Sequence, residues 1–196
     1  MGSSNLFNPR KMDVLDAKER KIWQNPDEIL KFVEIKPELI VADIGAGSGF
    51  FALPLSKRVA KVYAVDVQIE MLKYLEQKIR GFGIENIESL LARQNEIPLK
   101  SISVDLLLSI NTLHEFDDKK RMISEMARVL REGGKAVISD WKKKNTGFGP
   151  PIAIRVSKEQ AIDMFKEDFS PLKEENLPYH YLLVFEKKKG SQLIRK

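Results

Sequence analysis

Three glycines occupy alternate positions in the stretch VADIGAGSGF, which spans residues 41–50. Glycine weakens the interior of a strand and of a helix alike, so Gly45, Gly47 and Gly49 together indicate a loop. A continuous apolar run precedes them, and a helical pattern follows them. The stretch therefore predicts a strand, a tight loop and a helix, with loop backbone that a ligand can approach closely.

The rest of the chain alternates between strand patterns and helix patterns. Between residues 38 and 140 we predict strands at ELIVADIG, KVYAVD, NIESLLA, VDLLLSI and GGKAVISDW, with helical patterns between most of them. This alternation predicts an α/β fold in which a doubly wound, mainly parallel sheet carries helices on both faces. Two more strands, SPLKEENL and YHYLLVFEK, follow as a hairpin and predict one antiparallel strand at the edge.

The N-terminal segment lies outside this alternation. MDVLDAKERKIWQNPDEILKFVEI predicts one or two helices ahead of the first strand. We therefore divide the chain into a helical lid or appendage at residues 1–35 and a ligand-binding domain at residues 36–196.

Composition excludes several kinds of site. The chain has 196 residues, two histidines and no cysteine. Disulfides, thiolate metal sites and a cysteine nucleophile are therefore excluded, and we expect no metal site. No apolar run reaches the roughly 18 residues of a membrane helix, so we expect a cytoplasmic protein. A net charge of +5 favours anionic partners only mildly and does not diagnose nucleic-acid binding.

The glycine loop differs from two common nucleotide-binding loops. The dinucleotide pattern G-x-G-x-x-G requires glycine at position 50, where this chain has Phe50, which disfavours a dinucleotide oxidoreductase. The phosphate loop G-x-x-x-x-G-K-[ST] is absent as well. What remains is D-x-G-x-G-x-G, beginning at Asp43, with Asp66 at the end of the second predicted strand. A carboxylate at that position can accept both hydroxyls of a ribose.

The stretch VADIGAGSGFFALPLSKRVAKVYAVD resembles the first two motifs of class I S-adenosylmethionine (SAM)-dependent methyltransferases. The likeness covers about residues 38–140 and is strongest to the small methyltransferases of the ubiquinone and menaquinone biosynthesis type. It implies a Rossmann-like, seven-stranded sheet with an antiparallel seventh strand. It also implies SAM as cofactor and S-adenosylhomocysteine (SAH) as product.

The resemblance assigns most of the cofactor site. It implies that the glycine loop holds the methionine part of SAM, that Asp43 meets its amino group and that Asp66 holds the ribose. The family often has an acid after the third strand, where this chain has Arg93. A guanidinium has no acceptor for the adenine amino group, so a backbone carbonyl or Gln94 takes that role. The cofactor residues implied in this way are Asp43, Gly45, Gly47, Gly49, Asp66, Val67, Gln68, Met71, Arg93, Gln94, Ser109 and Ile110.

The same resemblance places the acceptor near the fourth strand, at SINTLHEF. It implies that Ser109, Asn111 and His114 lie near the methyl group. His114 is a candidate general base, or else a wall of the pocket. In the segment after the fifth strand, Trp141 and Arg155 are candidate substrate contacts, or else part of a solvated loop. The pattern [DNS]-P-P-[YF] of base-amine methylases is absent, which disfavours that reaction.

We therefore predict a SAM-dependent methyltransferase that acts at oxygen, nitrogen or carbon of a small molecule. Methylation of RNA or protein, and a non-catalytic SAM-binding subunit, are the alternatives. We expect no membrane span, we regard nucleic acid as a disfavoured partner, and we leave a homodimer open.

Overall fold

The computed structural model describes residues 6–9 and 12–190, and it contains one seven-stranded sheet. Residues 1–5 and 191–196, at the outer ends of the two predicted domains, and residues 10–11 lie outside the described residues. Along the sheet the strands run in the order β3-β2-β1-β4-β5-β7-β6. Their bounds are β1 Ile40–Ile44, β2 Lys61–Asp66, β3 Ile87–Leu91, β4 Val104–Ile110, β5 Leu130–Trp141, β6 Phe169–Asn176 and β7 His180–Lys187.

The predicted mainly parallel sheet with an antiparallel last strand is confirmed, but that strand, β7, lies between β5 and the edge strand β6 and not at the edge as predicted. β1 pairs in parallel with both β2 and β4, and β2–β3 and β4–β5 are parallel as well. β7 runs antiparallel to β5 and to β6. The chain moves outward from β1 to β3 and then crosses to β4 on the other side of β1. This reversal of strand order opens a crevice at the carboxyl ends of β1 and β4, where such folds bind ligands.

Helices cover both faces of the sheet. They are α1 Met12–Leu15, α2 Arg20–Trp23, α3 Pro26–Leu30, α4 Ala52–Ser56, α5 Ile69–Gly81, α6 Lys119–Val129 and α7 Lys158–Phe165. Alternate residues of β4 join two separate cores: Leu106 and Leu108 pack with α3, α4 and α5, whereas Leu107 packs with α6 and α7. Successive residues of a strand face opposite sides of the sheet, and both sides are buried here. The central strands are therefore continuous apolar runs.

Local sequence signals set several helix ends. Ser157 followed by Gln160 three residues later is the pattern of a capping box, and the box is present at the start of α7: the Ser157 side chain accepts from the Gln160 backbone N–H, and the Gln160 side chain accepts from the Ser157 N–H. Pro54 lies in the first turn of α4, where its missing N–H costs nothing. α5 ends at Gly81, as its glycines predict.

The N-terminal prediction of one or two helices is wrong, because this segment forms three short ones. Asn25 caps α3 by accepting from the Asp27 backbone N–H, and Pro26 occupies the first position of that helix. Proline at this position starts a new helix and prevents a longer one from running through. Ile29 and Leu30 of α3 are buried in the same core as α4 and α5.

Two other elements differ in length from their predicted bounds. α4 covers five residues of the ten-residue pattern FFALPLSKRV. β5 begins at Leu130, ahead of the glycine pair from which it was predicted to start. Its pairing with β4 is irregular between Val104 and Leu106, and Gly133 has a φ of 70°. A glycine in this conformation lets the strand bend without ending.

Gly49 provides a test of the packing below the glycine loop. Its φ is 82°, and a Cβ there would lie 2.4 Å from Cδ1 of the fully buried Leu75. We expect Gly49→Ala to cost about 1–2 kcal/mol for the left-handed backbone and about 1–3 kcal/mol more for overpacking, measured by urea unfolding. Gly83→Ala is the matched control, since Gly83 has a φ of 62° and open space around it. Equal losses in the two variants would contradict the packing role.

Candidate active site

A cavity of about 890 Å³ lies at the carboxyl ends of β1, β2 and β4. Its walls come from the glycine loop, the residues after β2 and β4, the segment after β5 and the N-terminal segment. This volume is near the top of the range of about 300–1,000 Å³ for small-molecule sites. The cavity therefore has room for a cofactor together with a second small ligand.

The glycine loop and Asp66 form one hydrogen-bonded unit. The Gly47 backbone N–H donates to Asp66 Oδ2 at 2.8 Å, and the Gln68 N–H donates to Oδ1 at 2.9 Å. The Gly45 N–H donates to the Val65 carbonyl at 2.8 Å. The loop that follows β1 is thus held directly against the end of β2. Both the loop and the carboxylate line the cavity.

Asp43 is a buried acid below the loop. Burial and, to a smaller extent, the nearby Asp66 raise its pKa to about 7, against the opposing influence of Arg20. Arg20, from α2, also lines the cavity, where its guanidinium lies 4.1 Å from the centre of the Phe50 ring. Burial lowers the pKa of Arg20 to about 10, against the opposing influence of Asp16 and Asp43. The site therefore combines buried charges of both signs.

The end of β4 is joined to the N-terminal segment by a pair of side-chain amides. Gln24 Nε2 donates to Asn111 Oδ1 at 3.1 Å, and Asn111 Nδ2 donates to Gln24 Oε1 at 2.9 Å. Asn111 has a φ of 59°, a conformation that asparagine tolerates better than most residues. Beside it, Thr112 packs where a Cβ on Gly45 would lie. This close approach explains why position 45 requires glycine.

His114 is paired with a buried carboxylate. It lies in the 3-10 helix Leu113–Glu115, and its Nδ1 is 2.8 Å from Asp140 Oδ1. Its backbone N–H also donates to Asp140 Oδ2 at 2.9 Å. Burial by itself lowers the pKa of His114, but the charge and hydrogen bond of Asp140 outweigh it and raise the pKa overall.

Glu115 adds a second titratable group to the cavity wall. Its Oε1 lies 3.8 Å from His114 Nε2. Burial raises the pKa of Glu115 to about 7; His114 lowers it, and Asp66 and Asp140 raise it. The Phe7 backbone donates a hydrogen bond to this carboxylate.

Three aromatic side chains form one wall of the cavity, which we call the aromatic wall: Trp23, Trp141 and Phe148. Each ring lies 5.3–5.6 Å from the other two, measured between centroids. Behind them lies His180, stacked on Trp23 at 5.3 Å and fully buried. Burial lowers the pKa of His180 to about 3, so this imidazole is neutral.

The region after β3 carries polar groups at another side of the cavity. Gln94, Glu96 and Asp117 line it, and the Gln94 amide donates a hydrogen bond to Asp117. Asp117, which follows the 3-10 helix, therefore supplies a carboxylate to the region where Arg93 replaces the family's usual acid.

The structure brings most of the sequence-predicted site residues to one cavity. Those that line it are Asp43, Gly45, Gly47, Asp66, Val67, Gln68, Met71, Gln94, Ile110, Asn111, His114 and Trp141. Gly49, Arg93, Ser109 and Arg155 are not among its lining residues. Gly49 packs on α5 instead, Arg93 is exposed, and Ser109 is fully buried inside β4.

The structure corrects the prediction that Arg155 contacts the substrate. The guanidinium donates to the backbone carbonyls of four residues in the segment after β5 and to one hydroxyl. These acceptors belong to Lys142, Lys144, Thr146, Phe148 and Pro150. With its donors directed to the protein, Arg155 holds this segment together.

Sequence reasoning missed Arg20, Glu115 and Asp140 as site residues. Arg20 lies outside the sheet pattern, so no motif pointed to it. Asp140 had a usable signal, because it lies at the end of β5, next to β4, and the carboxyl ends of neighbouring parallel strands share an edge. Glu115 directly follows His114, but sequence alone does not reveal its burial.

The comparisons with known proteins agree with this architecture. Residues 42–138 match a family described as a methyltransferase domain. A crystal structure of a SAM-dependent methyltransferase from Aquifex aeolicus is 30% identical, with a TM-score of 0.89, over 93% of this chain and 100% of that one. The uncharacterized protein MJ1123 of Methanocaldococcus jannaschii is 31% identical over 80% of each chain.

A further relative is the ubiquinone/menaquinone biosynthesis C-methyltransferase UbiE of Wigglesworthia glossinidia brevipalpis. It is 29% identical over 67% of this chain and 53% of the relative. The chain spans only about half the length of some curated relatives that it matches. Together, the fold, the cavity and these similarities show that the chain belongs to the class I SAM-dependent methyltransferases.

Among residues 6–9 and 12–190, no helix has the length and apolar character needed to cross a membrane. Within those same ranges, no group of three or more acidic or histidine side chains is arranged to hold a metal ion.

The raised pKa of Asp43 predicts a pH-dependent cost of folding. Its folded pKa of about 7 is above the ordinary value of 3.8, so stability is lost as the pH rises between these values. We expect Asp43→Asn, without cofactor, to gain stability over the wild type across that range. The difference in the free energy of unfolding should grow by about 1.4 kcal/mol per pH unit and reach a few kcal/mol, as measured by urea unfolding at several pH values.

The control for this prediction is Asp27→Asn, because the Asp27 side chain is 70% exposed. This variant should stay within about 0.5 kcal/mol of the wild type. A constant difference between Asp43→Asn and the wild type from pH 4 to pH 8 would contradict the proposed burial cost.

Proposed function

We propose that the protein transfers a methyl group from SAM to a small-molecule acceptor. The observation that carries this proposal is the joined pair of glycine loop and Asp66, which lines one end of a cavity whose other walls include the aromatic wall and His114. One cavity thus offers a cofactor end and an acceptor end.

The charges of the cavity suit SAM. Its sulfonium and ammonium groups are cationic, and the carboxylates of Asp43, Asp66 and Glu115 line the site. A carboxylate has about four acceptor positions, so Asp66 keeps capacity for ribose hydroxyls beside its backbone hydrogen bonds. In this proposal Arg20 pairs with the carboxylate of the cofactor, and the loop around Gly47 follows its amino-acid part.

The remaining cofactor contacts are proposed from the same lining. Val67, Gln68 and Met71 lie after β2, beside the ribose-binding acid, and form the wall for adenine. Asp117 accepts from the Gln94 amide and is our candidate acceptor for the adenine amino group. Arg93 is exposed and takes no part in this assignment.

SAM supplies a methyl group that is already activated by its positive sulfur. The protein has to hold the acceptor close and in line and to exclude water, so positioning supplies much of the rate. The aromatic wall provides flat, apolar surfaces for the body of the acceptor. His114 is the group that can accept a proton when the acceptor carries one.

The N-terminal segment is proposed to act as a lid. The Phe7 carbonyl accepts from Gln68 Nε2 at 3.1 Å, so the segment reaches the far side of the cavity. Asp16 accepts from Ser48 Oγ at 2.8 Å and from Lys78 Nζ at 2.8 Å, which ties it to the glycine loop and to α5. These contacts close the cavity, and opening them would admit the ligands.

Methylation of RNA or protein is a weaker alternative. Carboxylates line the cavity, and the basic side chains that line it are those of Arg20 and His114. Such a lining repels a phosphate backbone. A non-catalytic role would leave the His114–Asp140 pair and the aromatic wall without a purpose. Salt-dependent binding of bulk RNA would favour the first alternative.

The direct test of the cofactor site is calorimetric titration with SAM and SAH. We expect both to bind the wild type, and we expect Asp66→Asn to weaken SAM by roughly 10- to 100-fold, as the loss of hydrogen bonds to a charged acceptor predicts. Asp163→Asn, on the surface, is the control and should bind as the wild type does. Binding of NADH with no response to SAM would overturn the proposed function.

The lid can be tested by loosening its contacts at Asp16. We expect Asp16→Ala to speed amide hydrogen exchange across residues 14–24 and to increase the dissociation rate of SAH, because three side-chain donors lose their acceptor. Glu19→Ala is the matched control, since Glu19 is an exposed acid in the same segment. Unchanged rates of amide hydrogen exchange and of SAH dissociation in Asp16→Ala would contradict the role of Asp16 in holding the lid closed.

A further inference from the structure

We propose that Asp140 is a positioning residue that makes His114 a general base for an acceptor hydroxyl on a planar, phenol-class ring. This inference rests on the proposed methyl transfer and deepens it, because it names the class of acceptor.

The geometry of the pair carries the first step. Asp140 is fully buried at the end of β5, and both of its carboxylate oxygens face His114, at 2.8 Å and 3.0 Å from Nδ1. The backbone N–H groups of His114 and Trp141 also donate to this carboxylate, at 2.9 Å and 2.7 Å. Four contacts therefore fix the carboxylate, and the carboxylate fixes the imidazole ring.

The pairing determines the tautomer. An ionised carboxylate only accepts hydrogen bonds, so Nδ1 of His114 must carry the proton. The lone pair of the neutral ring is then on Nε2. His114 lines the cavity, and the carboxylate nearest to Nε2 is Glu115, at 3.8 Å, which is beyond hydrogen-bond distance. Nε2 is thus left to accept a proton from a ligand.

The surrounding charges favour a base that works near neutral pH. Asp140 from β5 and Glu115 from the same 3-10 helix raise the pKa of His114, whereas burial and Lys119 from α6 lower it, with a net rise. The Lys119 ammonium lies 3.4 Å from the His114 carbonyl. After proton transfer the resulting imidazolium is stabilised by Asp140, whose negative charge is fixed beside it.

A base is needed for an acceptor that must lose a proton, and a hydroxyl is such an acceptor because its oxygen becomes strongly nucleophilic as the proton leaves, whereas a neutral amine already has a nucleophilic electron pair. Trp23, Trp141 and Phe148 offer flat apolar surfaces, and stacking favours a planar ring as the body of that acceptor. Trp141 directly follows Asp140, so the positioning carboxylate and the aromatic wall share one strand end.

The proposed step is a proton transfer. The O–H bond of the acceptor breaks, the proton binds His114 Nε2, and the electron pair stays on oxygen as a phenolate. That oxygen lone pair is the nucleophile that takes up the methyl group of SAM: the oxygen–methyl bond forms, the methyl–sulfur bond breaks, and its electron pair stays on sulfur to leave SAH. The imidazolium then returns its proton to solvent at the cavity wall beside Glu115, whose side chain is 16% exposed.

The first test is nuclear magnetic resonance of the two histidines. His180 has a pKa of about 3, whereas the pKa of His114 is raised above its ordinary value by Asp140, so the two titrations are well separated. We expect a proton on Nδ1 in the wild type and a fall in the titration midpoint of about one pH unit or more in Asp140→Asn. Asp140→Glu, which keeps the charge, should restore much of the midpoint.

Ser139→Ala controls for general damage to β5, because the Ser139 hydroxyl is buried and donates to the Tyr181 carbonyl, not to the pair. Its midpoint should match the wild type. A wild-type proton on Nε2, or equal midpoints in the wild type and Asp140→Asn, would overturn the positioning role.

The second test uses nitrophenols with one or two fused rings, without cofactor. Nitrophenolates absorb visible light, so absorbance reports whether the bound hydroxyl has lost its proton. We expect the wild type to bind members of this panel as phenolates below their solution pKa. His114→Gln and Asp140→Asn should bind them without the absorbance increase. Binding of the whole panel as neutral phenols, or no binding at all, would overturn the phenol assignment.

The third test adds SAM and labelled methyl. We expect oxygen-methylated products, a kcat that rises with pH through the midpoint of His114, and a fall of roughly 100-fold in His114→Gln and Asp140→Asn. Methylation confined to ring carbon or to amines would overturn the hydroxyl assignment. If SAM binds in calorimetry while the phenol tests fail, only this inference is lost. If SAM does not bind, the proposed function fails with it.

Discussion

The hydrogen bond from the Gly47 backbone to Asp66 is the interaction on which the rest of the site depends. It joins the loop after β1 to the end of β2, and the Gly45 N–H to Val65 strengthens the same junction. The loop can lie so close to Thr112 only because Gly45 carries no side chain. The parallel pairing of β1 and β2 brings these groups together at one edge of the sheet, and the crevice beside β4 follows from the strand order.

Three further sets of contacts hold the other walls of the cavity in place. Gln24 and Asn111 connect the N-terminal segment to the end of β4 through two amide hydrogen bonds, and the stack of Trp23 on His180 connects it to β7. Arg155 holds the segment after β5 in place by donating hydrogen bonds to the backbone carbonyl groups of that segment. The amide pair and the ring stack link parts of the chain that are distant in sequence, whereas the Arg155 contacts are local, so two of the three depend on the complete fold.

Much of this arrangement could be predicted from the sequence, because its signals are local. The glycine loop, Asp66 at a strand end, the capping box at Ser157 and the antiparallel last strand each follow from a short pattern with a known physical cause. The contacts that were missed are non-local. Asp140 meets His114 across 26 positions, and the burial of Glu115 depends on the surrounding fold. The prediction that Arg155 contacts the substrate was wrong. It was based on the charge of the side chain, whereas the guanidinium donates its hydrogen bonds to backbone carbonyls nearby in the sequence.

The most direct measurement of the central claim is a crystal structure of the protein grown with SAH. We expect its ribose hydroxyls to be within hydrogen-bond distance of Asp66 and its amino-acid part to follow the backbone at Gly47, with the sulfur facing the chamber that contains His114. SAH bound elsewhere on the protein, or a cavity beside Gly47 and Asp66 that stays empty at saturating SAH, would contradict the account.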